Sequence, residues 1–193
     1  MRVITGRAKG HKLKAPKGPG TRPMLDRVKE SLFSVLEGYG PIRGRVLDLY
    51  AGTGALGIEF LSRGAEYADF VEQQPHVCAI IRDNLAHTRL AAYGRVHQMP
   101  VDRFLHHQRG TGSYDYIMMD PPYADPEIEQ TIMTILENGL GHPGSLLIVG
   151  HSPRVNLADA YPGAVRIKYR RLGDSCFSIY RLAADTADGE PAA

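Results

Sequence analysis

Two short stretches of this sequence hold the residue types that bond-making chemistry needs. The first is Asp48-Leu-Tyr-Ala-Gly52-Thr-Gly54-Ala-Leu-Gly57, with its glycines in a G-x-G-x-x-G pattern. Glycine lets a ligand approach the backbone closely. Glu72 follows twenty residues after Gly52, where a carboxylate can accept two hydrogen bonds from a ribose diol. Any adenosine-containing cofactor fits that description. A pyrophosphate is disfavoured, because Asp48 stands at the mouth of the loop and like charges repel. Asp48 is instead placed to meet an ammonium group. A ligand with adenosine at one end and an amino acid at the other is S-adenosylmethionine. The plain alternative is a glycine-rich turn built for tight packing, and a second is a nicotinamide dehydrogenase.

The second stretch is Asp120-Pro121-Pro122-Tyr123, directly after the apolar run Tyr116-Ile-Met-Met119. Two prolines stiffen the chain and remove two N–H donors. What remains is the Asp120 carboxylate and the Pro121 carbonyl as acceptors, with Tyr123 as a flat surface. Such a corner suits the exocyclic amino group of a planar base. That nitrogen is a poor nucleophile because its lone pair is delocalised into the ring. Accepting both of its N–H bonds favours pyramidalisation and frees the lone pair. Tyr123 can hold the base by stacking, worth ~1–3 kcal/mol. The catalytic candidates are therefore Asp120, Pro121 and Tyr123, and the main task is to align two reactants. The plain alternative is a surface Pro-Pro turn capped by an aspartate.

Both stretches need strand ends to position them. From Arg45 onward the sequence alternates strand and helix: strands over 46–50, 67–72, 95–99, 114–120 and 145–150, and helices over 56–62, 75–88, 101–107 and 125–138. Such alternation predicts a doubly wound α/β sheet, whose ligand crevice lies at the carboxyl ends of the strands. Runs over 164–172 and 176–182, joined by Gly173-Asp174-Ser175, predict an antiparallel hairpin at one edge. Before all this, the Pro- and Gly-rich stretch 14–23 is a loop. A helix follows it, with Leu25, Val28, Leu32, Val35 and Leu36 at helical spacing and Gly38 as its stop.

The chain has 193 residues, 43% hydrophobic and 23% charged, the composition of one ordinary globular domain. No apolar run approaches the ~20 residues of a membrane span, and the N-terminus lacks the apolar core of a signal peptide. Cys78 and Cys176 form no disulfide framework and sit in no metal-ligand cluster; Cys78 falls on a core-facing helix side. Adjacent His106 and His107 point apart on a short helix, Asp69 and Asp115 are read as flanking strands, and Phe33 as core. A cytoplasmic location and no metal are expected. The net charge of +2 hides an asymmetry: residues 1–43 carry +7, residues 44–145 carry −6 and the remainder +1. Between Met1 and Arg22 there are seven basic residues and no acidic one. That is either a solvated tail or a footprint for a polyanion.

Taken together, the residues resemble the class I S-adenosylmethionine-dependent methyltransferases that modify amino groups, which carry (Asn/Asp)-Pro-Pro-(Tyr/Phe). The likeness narrows further. Gly6-Arg7, Gly10-His-Lys-Leu13, Arg22-Pro23, Asp26-Arg-Val-Lys-Glu-Ser-Leu-Phe33, the glycine loop and Asp120-Pro-Pro-Tyr123 together look like the bacterial 16S ribosomal RNA guanine-N2 methyltransferases. This resemblance runs from about Val3 to Leu182. It implies a Rossmann-like class I methyltransferase fold, with a mostly parallel seven-stranded sheet, an antiparallel C-terminal hairpin and a small basic N-terminal extension. It implies methyl transfer to the N2 of one guanine in small-subunit rRNA, with S-adenosyl-L-homocysteine as the by-product.

The resemblance also assigns residues. Asp48, Tyr50, Ala51, Gly52, Thr53 and Gly54 go to the methionine part of the cofactor, Glu72 with Gln73 to the ribose, and Asp120 and Tyr123 to the target base, with Asp120 also bordering the cofactor. Two positions depart from the pattern: Met24 stands where a threonine is usual, and Pro100-Val101 stands where an Asp or Asn is usual near the adenine. A backbone contact at Val101 is the expected substitute. Residues 1–22 become an RNA-contacting arm through Arg7, Lys9, Lys12, Lys14, Lys17 and Arg22, joined by Arg27. Residues 23–182 are then the catalytic domain and 183–193 a disordered tail. The expected partner is 16S rRNA, within a small-subunit particle, bound by a monomer. A DNA amino-methyltransferase and a non-catalytic RNA-binding assembly factor are the competing readings.

Overall fold

Strand-forming runs that alternate with helices give five parallel strands: β1 (Arg45–Leu49), β2 (Tyr67–Glu72), β3 (Gly94–Gln98), β4 (Tyr114–Met119) and β5 (Gly141–His151). The computed structural model describes residues 1–16, 26–110, 113–122 and 125–183. Helices α1 (Asp26–Glu37), α2 (Ala55–Arg63), α3 (Pro75–His87), α4 (Val101–His107) and α5 (Ile128–Glu137) accompany the strands. The chain closes with β6 (Ala160–Tyr161), β7 (Ala164–Leu172) and β8 (Ser175–Leu182). The sheet order is β3-β2-β1-β4-β5-β8-β7-β6, with β8, β7 and β6 antiparallel.

The sequence predicts seven strands, and the sheet has eight. The additional strand, β6, has two residues, too few for any alternation to show. β5 begins at Gly141 rather than Ser145, because a register shift lets Gly141 pair with Tyr114. α5 begins at Ile128 rather than Asp125, because the Asp125 carboxylate accepts the Glu127 N–H in a turn ahead of the helix.

Side chains alternate across the sheet and split the core in two. Val46, Phe70, Met118, Ile148 and Phe177 pack with α1, α2 and α3 on one face. Leu47, Leu49, Ile117, Met119 and Val149 pack with α4 and α5 on the other. Phe33 lies in the first of these cores and Cys78 is buried, as the helical spacing indicates.

The basic N-terminal segment is folded onto this body. Arg2 bridges to Lys12, and Val3, Ala8 and Leu13 are buried in the α1–α3 core. Burying a valine or leucine contributes about 1.5–3 kcal/mol, which offsets part of the cost of ordering this segment. Its basic side chains Arg7, Lys9, Lys12 and Lys14 remain exposed. Residues Lys17, Arg22, Pro23, Met24, Leu25 and Tyr123, and the tail from 184 onward, lie outside the described residues.

Asp69 is a buried member of β2 rather than a strand-flanking residue. Its carboxylate pairs with His97 (2.7 Å), Arg45 (3.2 Å) and the Tyr114 hydroxyl (3.1 Å). Burial works against its ionisation, but these partners outweigh burial and hold its carboxyl below the usual carboxylate range. A depressed carboxyl contributes stability above its unfolded value, near 3.8, that is lost as pH falls through the folded value. Asp69→Asn is therefore expected to flatten the acid side of the stability curve below about pH 4, measured by chemical denaturation across pH. An unchanged acid limb would show that the network adds nothing.

Candidate active site

The five parallel strands end at one edge of the sheet, and both chemistry-bearing stretches lie there. β1 ends at Leu49 and the chain turns through three residues in the left-handed region: Tyr50 (φ 57°), Gly52 (φ 52°) and Gly54 (φ 74°). Gly54 caps α2. For Tyr50 that conformation costs about 1–2 kcal/mol, a strain of the kind that concentrates at ligand sites. The turn is pinned by Ala51 N–H to the Val71 carbonyl (3.0 Å) and Gly54 N–H to the Ala51 carbonyl (2.8 Å).

The three patterned glycines do different work. A side chain at Gly57 would collide with the Phe70 ring and press on the Asp48 carboxylate, and one at Gly54 would press on Ile81 and Phe70. Both are packing glycines. At Gly52 a Cβ would meet nothing nearer than the Tyr50 carbonyl at 3.9 Å, so this is the glycine that leaves the backbone open to a ligand.

Asp48 sits in β1, fully buried, and accepts the Gly57 N–H at 2.9 Å. Burial, with repulsion from Asp120 and Glu72, pushes its carboxyl up to about 8 against the Gly57 hydrogen bond. Glu72 ends β2 and reaches across to the loop: its two carboxylate oxygens accept the N–H groups of Gly52 (3.1 Å) and Gln74 (2.8 Å). Gln73 is exposed beside it. Val101 starts α4 just after β3, its side chain buried among Val71 and Phe104.

Asp120 follows β4 directly and belongs to the same sheet face as Asp48, since Met118 and Val46 share that face. Its carboxylate has no hydrogen-bond partner among the described residues. Burial pushes it up to about 6. Beneath it lies Gly150 of β5, where any Cβ would strike the carboxylate. Gly150 was not legible as a site residue, because a glycine ending a buried strand carries no motif. Pro121 is buried, and Asp125 N–H closes the turn onto the Pro122 carbonyl (3.0 Å).

Asn84 of α3 is a second residue that the sequence does not flag. Its amide donates to the Thr53 carbonyl (3.0 Å) and the Lys14 carbonyl (3.1 Å) and accepts the Lys14 N–H (2.8 Å). It ties the N-terminal segment to the glycine loop. Lys14 and Met1 therefore lie near Thr53. Arg7 lies at the far end of α2, where its backbone N–H meets the Ser62 carbonyl and its guanidinium stacks over Tyr93 at 4.3 Å. Nine helical residues, about 13 Å, separate the two ends. Arg27 is exposed in the first turn of α1.

His106 and His107 are exposed, and no group of three metal-ligating side chains occurs among the described residues. No helix among them is long and apolar enough to cross a membrane.

Known proteins are similar to this chain in sequence and fold. YlbH of Bacillus subtilis, whose name assigns it provisionally to the rRNA methyltransferases, is 35% identical over 183 residues, 94% of this chain and 98% of its own. Ribosomal RNA small subunit methyltransferase D of Escherichia coli is 39% identical over 141 residues, 72% of this chain and 68% of its own. A solved Escherichia coli structure, yhhF, provisionally described as a methyltransferase, superposes with a TM-score of 0.83 at 32% identity, covering 95% of this chain and 98% of that one. The architecture is that of the class I methyltransferases. With residues 1–181 matching the model of the family described as conserved hypothetical protein 95, the chain belongs to that family.

Proposed function

We propose that this protein transfers a methyl group from S-adenosylmethionine to the exocyclic N2 of one guanine in 16S small-subunit rRNA. It is an S-adenosylmethionine-dependent rRNA methyltransferase by its family relations. The observation that carries the finer reading is the Asp120 corner: an acceptor-rich turn, floored by Gly150, on the same sheet face as Asp48. The residues fit the cofactor. Gly52 leaves the backbone open, Asp48 is a buried carboxylate suited to an ammonium, and Glu72 is suited to a ribose diol. When bound, the cofactor supplies an electrophilic methyl carbon on a positive sulfur.

The chain's own part is positioning. Asp120 and the Pro121 carbonyl accept the two N–H bonds of the amine, which turns its lone pair out of the ring. A carboxyl at about 6 is mostly ionised at neutral pH, so Asp120 serves as acceptor and takes up the proton that the amine must lose. Tyr123 stacks on the base. Arg7, Lys9, Lys12, Lys14, Lys17, Arg22 and Arg27 contribute contacts to RNA phosphates. The test is incubation of methyl-labelled cofactor with unmodified small subunits and with free 16S rRNA, followed by mapping of the label. N2-methylguanosine at one position is expected. Label on an adenine or cytosine amine would overturn the guanine assignment.

The Asp48 carboxyl gives a pH signature. At about 8 it is mostly protonated at neutral pH before the cofactor binds. An ammonium favours the ionised form, so cofactor binding releases a proton. Affinity should rise as pH goes from about 6 to 8, by up to tenfold per unit, then level off. Calorimetry in buffers of different ionisation enthalpy would detect the released proton. Pure proton uptake, or affinity that falls over this range, would reject the ammonium role.

A further inference from the structure

We infer that Lys168 and Arg170 of β7 hold an RNA phosphate beside the target base, a second grip across the crevice from the N-terminal segment. This rests on the proposed RNA methyltransferase reading and extends it to a strand with no motif. The register places the residues. Asp120 lies against Gly150, Gly150 pairs with Phe177, and Phe177 pairs with Arg170. Lys168 pairs with Ile179. Phe177 and Ile179 pack into the same core as Met118, two residues before Asp120. Arg170 and Lys168 are thus on the Asp120 face of the sheet. Three strand steps of about 4.8 Å put the Arg170 backbone about 14 Å from that of Asp120, with both side chains on the same face of the sheet.

Charge supports the same occupant. β7 reads Arg166-Ile-Lys168-Tyr-Arg170-Arg171, without an acidic residue. Arg166 is committed to Asp159 and the Leu157 carbonyl. Lys168 and Arg170 form no salt bridge among the described residues, and Arg170 is exposed. Two uncommitted cations in line with an acidic catalytic corner suit a polyanion whose base enters that corner while its backbone runs over β7. The glycine loop, with Lys14 and Met1 beside it, lies on the opposite side of β4 from β7, so the two basic surfaces flank the crevice.

The test is the double variant Lys168→Gln/Arg170→Gln, with full-length protein. Its binding to unmodified 16S rRNA transcript and to unmodified small subunits is measured across about 50–200 mM salt. Losing two single-strand phosphate contacts should reduce the slope of log K against log salt by about 1.4. The KM for RNA should rise, while kcat at saturating RNA, cofactor affinity and melting temperature stay at wild-type values. The charge-retaining Arg170→Lys, with Lys168 intact, should keep the wild-type slope. A double variant with wild-type slope and KM overturns the inference. So does a loss seen on assembled subunits but not on free transcript, which would mean that β7 meets a ribosomal protein. A wild-type protein that labels neither RNA overturns the underlying reading instead.

Discussion

Asp120→Ala is expected to lower methyl transfer by about 10²–10³-fold, the usual cost of deleting one preorganised partner of the reacting group. RNA affinity should change little. The reason lies in what the carboxylate does without a substrate. It forms no hydrogen bond among the described residues, and burial pushes its carboxyl up to about 6. A raised carboxyl contributes stability only when protonated, and that contribution is lost as pH rises through the folded value. At neutral pH the ionised group is therefore a burden on the fold, and the alanine variant should melt no lower than wild type. Asp120→Asn keeps one acceptor oxygen at the same place and should retain more activity than alanine. Single-turnover rates on small subunits, with melting curves, measure both effects. Equal activity of Asp120→Ala and wild type would remove Asp120 from the chemistry. Loss of RNA binding in the same proportion as activity would recast it as a binding residue.

Asp120 also illustrates why some of the site was legible from the sequence. Local rules act within a few residues: an apolar run ending in glycines makes a strand and a ligand loop, and a Pro-Pro pair stiffens the turn at a strand's end. Those rules single out Asp48, Glu72 and Asp120 as candidates, and the crossover geometry of parallel strands brings them to one edge. They could not find partners far apart in the chain. Gly150 is thirty residues beyond Asp120, and Asn84 is seventy beyond Lys14. Charge counting marked residues 1–22 as basic, but it is silent on the spaced apolar residues Val3, Ala8 and Leu13 that fix the segment to the core. Lys29 sits inside a stretch that was informative as a pattern, yet nothing local says that its ammonium is fully buried.

That burial supports the largest expected stability effect. Glu59 of α2 and Lys29 of α1 are both fully buried, 3.1 Å apart. The Glu59 carboxylate also accepts the backbone N–H groups of Ile4 (2.9 Å) and Thr5 (3.0 Å) and the Arg63 Nε (2.9 Å). Lys29 donates onward to the Arg2 carbonyl. One carboxylate thus joins two helices and the N-terminal segment. Glu59→Ala leaves an ammonium buried without its counter-ion and two N–H groups without an acceptor. The expected cost is about 3–5 kcal/mol. For a chain of this size that lowers the melting temperature by about 6–20 °C. Removing both charges should cost far less than removing one, because the desolvation penalty of the pair disappears with it. Lys29→Met/Glu59→Met is therefore expected to recover part of the loss.

The effect should also travel. The N-terminal segment is stitched to the glycine loop through Asn84, so its release in Glu59→Ala should speed amide exchange over residues 3–13 and weaken cofactor binding. Faster exchange in that segment with a native glycine loop would separate the two. A single variant melting within about 2 °C of wild type, under 1 kcal/mol for a chain of this length, would show that water or Arg63 compensates the buried lysine and that the hub does not hold the segment in place.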